Sequence, residues 1–194
     1  QVVGGGQTMN PSSEQLLDAV KRANAKHTFL LPNNPNIILA ANQAAELAGT
    51  DVRVIPSRNV PQGIAAVLAY NPDLSVDENA DAMNSALGDV QSGEITTAVR
   101  TTSIDGVAVE EGQAIGLLDG KLVTAKATPN DALLAMLDGA GLEDGTLVTL
   151  YCGAGNLGRI AAEAAGKIEA RYEGVEVEIV EGGQPHYAYL VSIE

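Results

Sequence analysis

The feature that most constrains this fold is a pattern of strand, polar loop and helix that occurs twice between residues 27 and 69. In its first copy, His27 to Leu31 predicts a short buried strand that ends at the polar run Pro32 to Asn36. Ile37 to Leu47 then predicts an Ala-rich helix that stops at Gly49. The second copy begins with the β-branched strand Val52 to Ile55.

The second copy continues with the loop Pro56 to Asn59, and Pro61 opens a helix over Gln62 to Ala69. The carboxyl ends of parallel strands share one edge of a sheet, so the two polar loops should lie side by side there. Asn10 with Pro11 suits a cap and first helical position, and Ser12 with Gln15 also fits a capping box, so an earlier helix starts within about two residues of this point. Its start can neighbour the loops because it feeds the same sheet. The sequence therefore predicts a parallel βα lobe, over residues 1–74.

A different pattern follows Asn71-Pro72, where we place the lobe boundary. Ser75 with Glu78 predicts a capped helix that runs to about Val90. Beyond it, Asp105-Gly106 and Asp119-Gly120 are hairpin signals, which predict an antiparallel meander. The remaining segments predict helices over 128–137 and 160–172 and strands over 147–152, 175–180 and 187–193. The whole chain is thus predicted to be an α/β protein with two lobes, the second an α+β lobe over 75–194.

The charge and composition of the chain argue against several classes of partner and location. The net charge is −14 and no basic run occurs, so nothing in the sequence would neutralise phosphates, which argues against nucleic acid and anionic membranes as partners. Cys152 is the single cysteine, and no stretch has the length of a membrane span or the pattern of a signal peptide, so we predict a cytoplasmic protein without an intrachain disulfide. Because the chain starts at Gln1 inside a Gly-rich motif, we expect it to be part of a longer polypeptide.

Residues Gly153 to Gly158 spell GxGxxG between a predicted strand and a predicted helix. A dinucleotide fold needs this element at the start of a βαβαβ half, whereas only two short strands joined by a tight turn follow here. The motif is therefore interpreted as a Gly-rich helix entry, with cofactor binding as the alternative. His27, His186 and Cys152 have no metal-ligand spacing, and neither a P-loop nor a GxSxG elbow is present. No catalytic, cofactor-binding or metal residue is predicted.

Three side chains stand out for binding. Arg58 follows a strand end, where an anion could sit, and Arg100 is the second basic candidate; a surface salt bridge is the alternative for each. His186 lies between a Gly-rich turn and Tyr187, where a loop histidine can carry a proton or donate a hydrogen bond. His27, at a strand start, is interpreted as structural.

Four loop motifs, in one order, resemble the carboxy-terminal region of the bacterial dihydroxyacetone-kinase-like family, which includes the kinase subunit of fatty acid kinase. They are GGGQTMNPS at 4–12, LPNNPNI at 31–37, PSRNVPQG at 56–63 and GGQP at 182–185. The resemblance implies an upstream domain that binds ATP and magnesium, a middle domain, and a carboxy-terminal region that engages a DegV-type protein presenting a fatty acid for phosphorylation. It implies no cofactor and no turnover in this region alone.

A further similarity is to the DegV-type fold itself. Residues 52–60 resemble its strand and Asp-Ser-Arg loop, and residues 116–123 resemble its hairpin, which implies a DegV-like two-lobe architecture. DegV-type proteins hold a fatty-acid carboxylate with hydroxyls of an SSxxSG loop and a histidine. The loop at 32–36 has no hydroxyl and His186 has a different context, so lipid binding of that kind is not expected.

We therefore predict a non-catalytic docking domain whose partners are a DegV-type fatty-acid-binding protein, the upstream domains and, as an option, a second copy of the chain. The candidate docking residues are polar side chains of the loops: Gln7, Thr8, Asn10, Asn33, Asn34, Asn36, Ser57, Arg58, Gln62, Arg100, Gln184 and His186. Two alternatives stay open. One is a lipid- or small-molecule-binding module with a cleft between the lobes, and the other is a nucleotide-dependent enzyme that uses residues 153–158.

Overall fold

The computed structural model describes residues 1–4, 10–104, 106–155 and 158–194. The chain forms two compact units, Gln1–Asp89 and Val90–Glu194. The mixed α/β content and the parallel pairing in the first unit confirm the predicted fold class.

The first unit is a small parallel sheet with helices on both faces. Its elements are α1 (Ser13–Ala23), β1 (His27–Leu30), a 3-10 turn (Pro35–Ile37), α2 (Ile38–Leu47), β2 (Asp51–Val54), α3 (Val60–Leu68) and α4 (Val76–Ala86). β1 and β2 pair in parallel, with His27 opposite Asp51. Successive strand residues face opposite sides, so Leu30 packs into one apolar cluster with Leu16 and Phe29 into another with Met83.

Local hydrogen bonds fix where the helices of this unit begin. Ser12 and Gln15 form the predicted capping box at α1, and Ser75 and Glu78 form the one at α4. Asn59 caps α3, because its Oδ1 accepts a hydrogen bond from the Gln62 N–H at 2.9 Å. Each cap satisfies a helix N–H that has no partner within its own helix.

The predicted lobe boundary after residue 74 is wrong, because α4 belongs to the first unit. Met83 of α4 is buried against Ile55 and Ala66, and the units divide between Asp89 and Val90. The polar run near residue 71 is an internal turn held by the buried Asn79, whose Oδ1 accepts from the Asn71 N–H and whose Nδ2 donates to the Asn71 carbonyl, both at 2.8 Å. A turn of this kind has the polar composition of a linker but lies inside one unit.

The second unit contains a six-stranded sheet in the order β7-β6-β3-β10-β8-β9 and a separate β4–β5 hairpin. Its elements are β3 (Gln91–Thr97), β4 (Thr102–Ile104), β5 (Val107–Val109), β6 (Ala114–Leu118), β7 (Lys121–Lys126), α5 (Pro129–Leu137), β8 (Leu147–Cys152), α6 (Arg159–Arg171), β9 (Glu176–Glu181) and β10 (Tyr187–Ile193). Asp119 and Gly120 both have positive φ, 49° and 77°, as the predicted hairpin turn requires.

The core of the second unit lies between this sheet and the helices α5 and α6. Leu133, Met136, Leu150, Ile168 and Tyr189 are all buried in it. Aliphatic and small side chains fill most of this core, and the Tyr189 hydroxyl donates a hydrogen bond to Asn130 Oδ1 at 2.8 Å. Burial raises the pKa of Tyr189 to about 12.

Candidate functional site

The two polar loops of the first unit meet at one edge of its sheet, as the parallel strands predict. The Asn33 N–H donates to Ser57 Oγ at 3.0 Å, and the Ser57 hydroxyl donates back to Asn33 Oδ1 at 2.7 Å. Ser57 is fully buried. Its hydroxyl therefore joins the two loops from inside the unit, a role we call bracing, and it is not exposed for contact with a partner.

Asn33 has a left-handed backbone conformation, and its side chain fits against a glycine of α3. Its φ is +54°, in the left-handed region that asparagine tolerates. Its side-chain amide lies directly against Gly63 of α3, where a Cβ would overlap the amide. A glycine in a helix interior costs stability relative to alanine, and at this position it leaves room for the loop.

Gln62 connects the second loop to the chain segment that follows α4. Its Oε1 accepts a hydrogen bond from the Arg58 N–H at 2.8 Å, and its Nε2 donates to the Leu87 carbonyl at 3.2 Å. Both ends of the amide are thus engaged within the unit. Gln62 positions Arg58 and does not itself present a free side chain.

The segment before α1 also reaches this edge. Asn34 Nδ2 donates to Asn10 Oδ1 at 3.4 Å, and Asn34 Oδ1 accepts from the Asn36 N–H at 2.9 Å. The predicted proximity of the α1 start to the loops is therefore confirmed at Asn10. Gln7 and Thr8 lie outside the described residues.

Arg58 and Asn36 are the exposed candidates of the two loops, and Asn10 is exposed beside them. Among the residues that the structure describes, the ion pairs do not involve Arg58. Its backbone is held by Gln62 while its guanidinium remains accessible. The edge therefore presents one accessible cation next to amide groups on a braced backbone.

Three of the candidates belong to the second unit. Arg100 is exposed in the turn after β3. Gln184 is engaged, because its Nε2 donates to the Tyr151 carbonyl at 2.7 Å. His186 is exposed with φ at +69°, and its carbonyl accepts from Thr96 Oγ1 at 2.7 Å. The structure thus gathers Asn10, Asn33, Asn34, Asn36, Ser57, Arg58 and Gln62 in one unit and these three residues in the other.

The start of the GxGxxG motif packs against the turn between β9 and β10. A Cβ at Gly153 would overlap the Tyr187 carbonyl oxygen and lie 3.0 Å from that of Gln184. The Gly182 and Gly183 N–H groups both donate to the Cys152 carbonyl, at 3.0 and 2.9 Å. Protein backbone thus occupies the space beside the first glycine. Asn156 and Leu157 of the motif lie outside the described residues.

α6 connects β8 to the parallel strand β9, so the motif lies in the sequence at the start of a βαβ crossover. β10 then returns antiparallel to β8 and lies between it and β3. A dinucleotide-binding half would continue with a second parallel crossover at this point.

His27 takes part in an exposed ion network at the other ends of β1 and β2. His27 Nδ1 lies 2.9 Å from Asp51 Oδ2, Arg53 Nε donates to Asp51 Oδ1 at 2.8 Å, and Arg53 also pairs with Asp77 at 2.9 Å. The hydrogen bonds from His27 and then from Arg53 lower the pKa of the Asp51 carboxyl. This arrangement agrees with the structural interpretation of His27.

Across the described ranges, acidic, histidine and cysteine side chains form no cluster of three or more that could hold a metal ion. Nor does that part of the chain contain a helix with the length and apolarity needed to span a membrane.

The chain has a DegV-like fold. The B3 protein of the Streptococcus pneumoniae fatty acid kinase, solved with linoleic acid, superimposes with a TM-score of 0.66 at 15% identity, over 95% of this chain and 76% of that one. A Thermotoga maritima protein described as fatty-acid-binding gives a TM-score of 0.64 at 13% identity, over 95% and 76% of the two chains. At such identities the similarity establishes the fold.

The chain belongs to the FakA-like C-terminal family of fatty acid kinase proteins, which it matches over residues 1–194. Protein YloV of Bacillus subtilis is 44% identical over 193 residues, and a Staphylococcus haemolyticus protein is 39% identical over the same length. Each alignment covers all of this chain and 35% of the relative, so the chain spans about a third of the length of these proteins.

Sequence reasoning missed the bracing roles of Ser57 and Gln62, which it assigned to contact with a partner. The signal that could have identified them is Gly63, since a glycine inside a helix pattern often marks the close approach of another segment.

Proposed function

We propose that this chain is the non-catalytic docking domain of a fatty acid kinase. It binds a DegV-type fatty-acid-binding protein so that the fatty acid held by that partner is phosphorylated by an ATP- and magnesium-binding domain elsewhere in the same polypeptide. Family membership supports this assignment. The observation that carries it is the exposed Arg58, outside the ion pairs of the described residues, on a braced edge of amide side chains.

This edge has the properties of a transient interface. Amide groups and one arginine offer hydrogen bonds with little buried charge, which suits a partner that must leave after each turnover. Arginine is enriched at interface hot spots, and its planar fork binds a carboxylate through two parallel hydrogen bonds. Because Gln62 and Ser57 hold the loops in place, little conformational entropy would be lost on binding.

A lipid-binding module is the second candidate, since the structural neighbours include proteins solved with fatty acids. The loop hydroxyl that could hold a carboxylate here, that of Ser57, is buried and already donates to Asn33 Oδ1. This favours docking over lipid binding at the loops. Native mass spectrometry of the protein purified from cells discriminates between the two, because a co-purifying fatty acid would favour the lipid-binding module.

Calorimetric titration against a lipid-loaded DegV-type protein from the same organism tests docking directly. The double variant Arg58→Ala/Asn34→Ala should weaken binding by about 1–3 kcal/mol and leave the melting temperature nearly unchanged. Lys121→Ala, which removes one exposed positive charge from β7 in the second unit, is the matched control and should bind like the wild type. Unchanged affinity in a folded double variant would place the docking surface elsewhere, with the surface around His186 as the next candidate.

The nucleotide-dependent alternative makes a separate prediction. If ATP or NAD at millimolar concentration raised the melting temperature by several degrees, a nucleotide site would exist in this chain. A nucleotide-dependent function would then be favoured over docking.

A further inference from the structure

Helix α3 carries most of its large aliphatic side chains on its outer face. Its sequence, VPQGIAAVL, contains one polar side chain, and that residue, Gln62, is half-buried and hydrogen-bonded to the Leu87 carbonyl. In contrast, Val60, Val67 and Leu68 are 37%, 57% and 76% exposed. A surface helix of a globular protein normally has the opposite arrangement.

The exposed apolar residues of α3 form one continuous strip. At about 100° per residue, Val60, Ile64, Val67 and Leu68 fall within an arc of roughly 100° on one side of the helix. Ile64 is half-buried, and Pro61, Gly63 and Ala66 on the other positions are buried. Single exposed apolar residues are ordinary, but an arc without a polar side chain is typical of an interaction surface.

The strip begins where the docking loop ends. Asn59 caps the helix, and Arg58 immediately precedes that cap, with an accessible guanidinium that takes part in no ion pair among the described residues. One cation thus lies at the N-terminal end of an apolar strip. This combination is complementary to a partner surface that has an apolar patch beside a carboxylate.

We propose that the outer face of α3, the strip formed by Val60, Ile64, Val67 and Leu68, is the apolar half of the docking surface. Its occupant is an apolar, acid-bordered surface of the DegV-type partner protein. This inference rests on the proposed function, because it assigns further residues to the same interface. Arg58 and the loop amides supply the polar rim, and Val67 with Leu68 supply the apolar centre.

The size of the strip argues against a second copy of this chain as its occupant. α3 has nine residues and is about 14 Å long. A stable interface buries roughly 800 Å² on each partner, which four aliphatic side chains cannot provide on their own. The strip therefore acts together with the adjoining loops, in a complex that forms and dissociates during turnover.

The test uses this chain and the lipid-loaded DegV-type protein, titrated by calorimetry. Val67→Gln/Leu68→Gln should lower the affinity at least about tenfold, because it places amides at the apolar centre of the contact. Glutamine is a good helix former, so the thermal melt should not change. Leu39→Gln/Leu47→Gln is the matched control, since these leucines of α2 are 71% and 67% exposed, and it should bind like the wild type.

The outcomes separate the two proposals. If the wild type binds and Val67→Gln/Leu68→Gln binds equally well, the assignment of the α3 strip to the interface is overturned, while the docking function is retained. If the wild type does not bind at all, the docking function is overturned and the assigned occupant with it. Sedimentation of the free chain completes the test, because a dimer that Val67→Gln/Leu68→Gln dissociates would show that α3 is a self-interface and overturn the assignment to a partner.

Discussion

In each unit one glycine allows another segment to approach closely, the polar loop in the first unit and the Gly-rich turn in the second. The two glycines differ in the kind of atom that they face. Gly63 faces the amide end of the Asn33 side chain, whereas Gly153 faces the main-chain oxygens of Tyr187 and Gln184. A side chain can rotate away from an added methyl group, and a main-chain carbonyl in a sheet cannot. The loop edge can therefore be altered without unfolding its unit, whereas Gly153 is held by main-chain contacts that cannot move.

The largest expected effect is that of Gly153→Ala. The new Cβ would overlap the Tyr187 carbonyl at the start of β10, a central strand of the six-stranded sheet, so we expect a loss of about 2–4 kcal/mol in the free energy of unfolding. Urea denaturation measures this loss. Gly166→Ala in α6 is the control, since its Cβ would meet open space and alanine is the better helix former. Equal stability of both variants would show that the main-chain contacts at Gly153 can move.

Ser57→Ala should have an intermediate effect. It removes the two hydrogen bonds with Asn33 and leaves the Asn33 N–H without its partner, which should cost about 1–2 kcal/mol of stability. Chemical denaturation measures the change. Ser103→Ala, at an exposed position of β4, should stay within about 0.5 kcal/mol of the wild type. If both serine variants were equally stable, the brace between the loops would contribute nothing to stability.

Gly63→Ala should lower the free energy of unfolding by about 1 kcal/mol, because displacing the Asn33 amide loses its hydrogen bond from Ser57 and the better helix propensity of alanine offsets part of that loss. Displacing the Asn33 amide should nevertheless weaken partner binding, since the loop that carries Asn34 and Asn36 loses its position. Calorimetric titration and thermal melts on the same sample measure the two effects. A large loss of stability would show that both glycines face equally rigid contacts.

The smallest expected effect is a pH dependence of the second unit. The Tyr172 hydroxyl donates to Asp138 Oδ1 at 2.6 Å, and burial together with this hydrogen bond raises the pKa of Tyr172 to about 12. The unfolded chain releases this proton near pH 10, so the stability that Tyr172 provides is present below pH 10 and lost as the pH rises towards 12.

Tyr172→Phe should reduce the loss of stability at alkaline pH. Part of the loss should remain, because the pKa of Tyr189 is also raised to about 12. Hydrogen exchange measured between about pH 9 and pH 12, from below the ordinary tyrosine pKa to the raised one, locates the change. An equal alkaline loss in the first unit would contradict this assignment.

Much of the fold could be predicted because the signals were local or periodic. The strands 147–152 and 187–193 have the predicted bounds, and α1 and α5 begin at their predicted caps. The lobe boundary was wrong because Asn71-Pro72 looks like a linker, whereas Asn79 ties that turn into the first unit. At the loops, the amino-acid types predicted a polar edge but not which side chains face solvent.

The sequence by itself determined the helix starts, the hairpin at Asp119-Gly120 and the common edge of the two polar loops, because caps and turns depend on residues within about four positions and strand polarity orders the loops. Only the tertiary structure decided that Ser57 and Gln62 are engaged, that Arg58 is accessible and that α3 turns an apolar face outward. Ser57 bonds to Asn33, 24 residues away, and Gln62 to Leu87, 25 residues away. Exposure is therefore fixed by contacts between distant segments, which no local pattern contains.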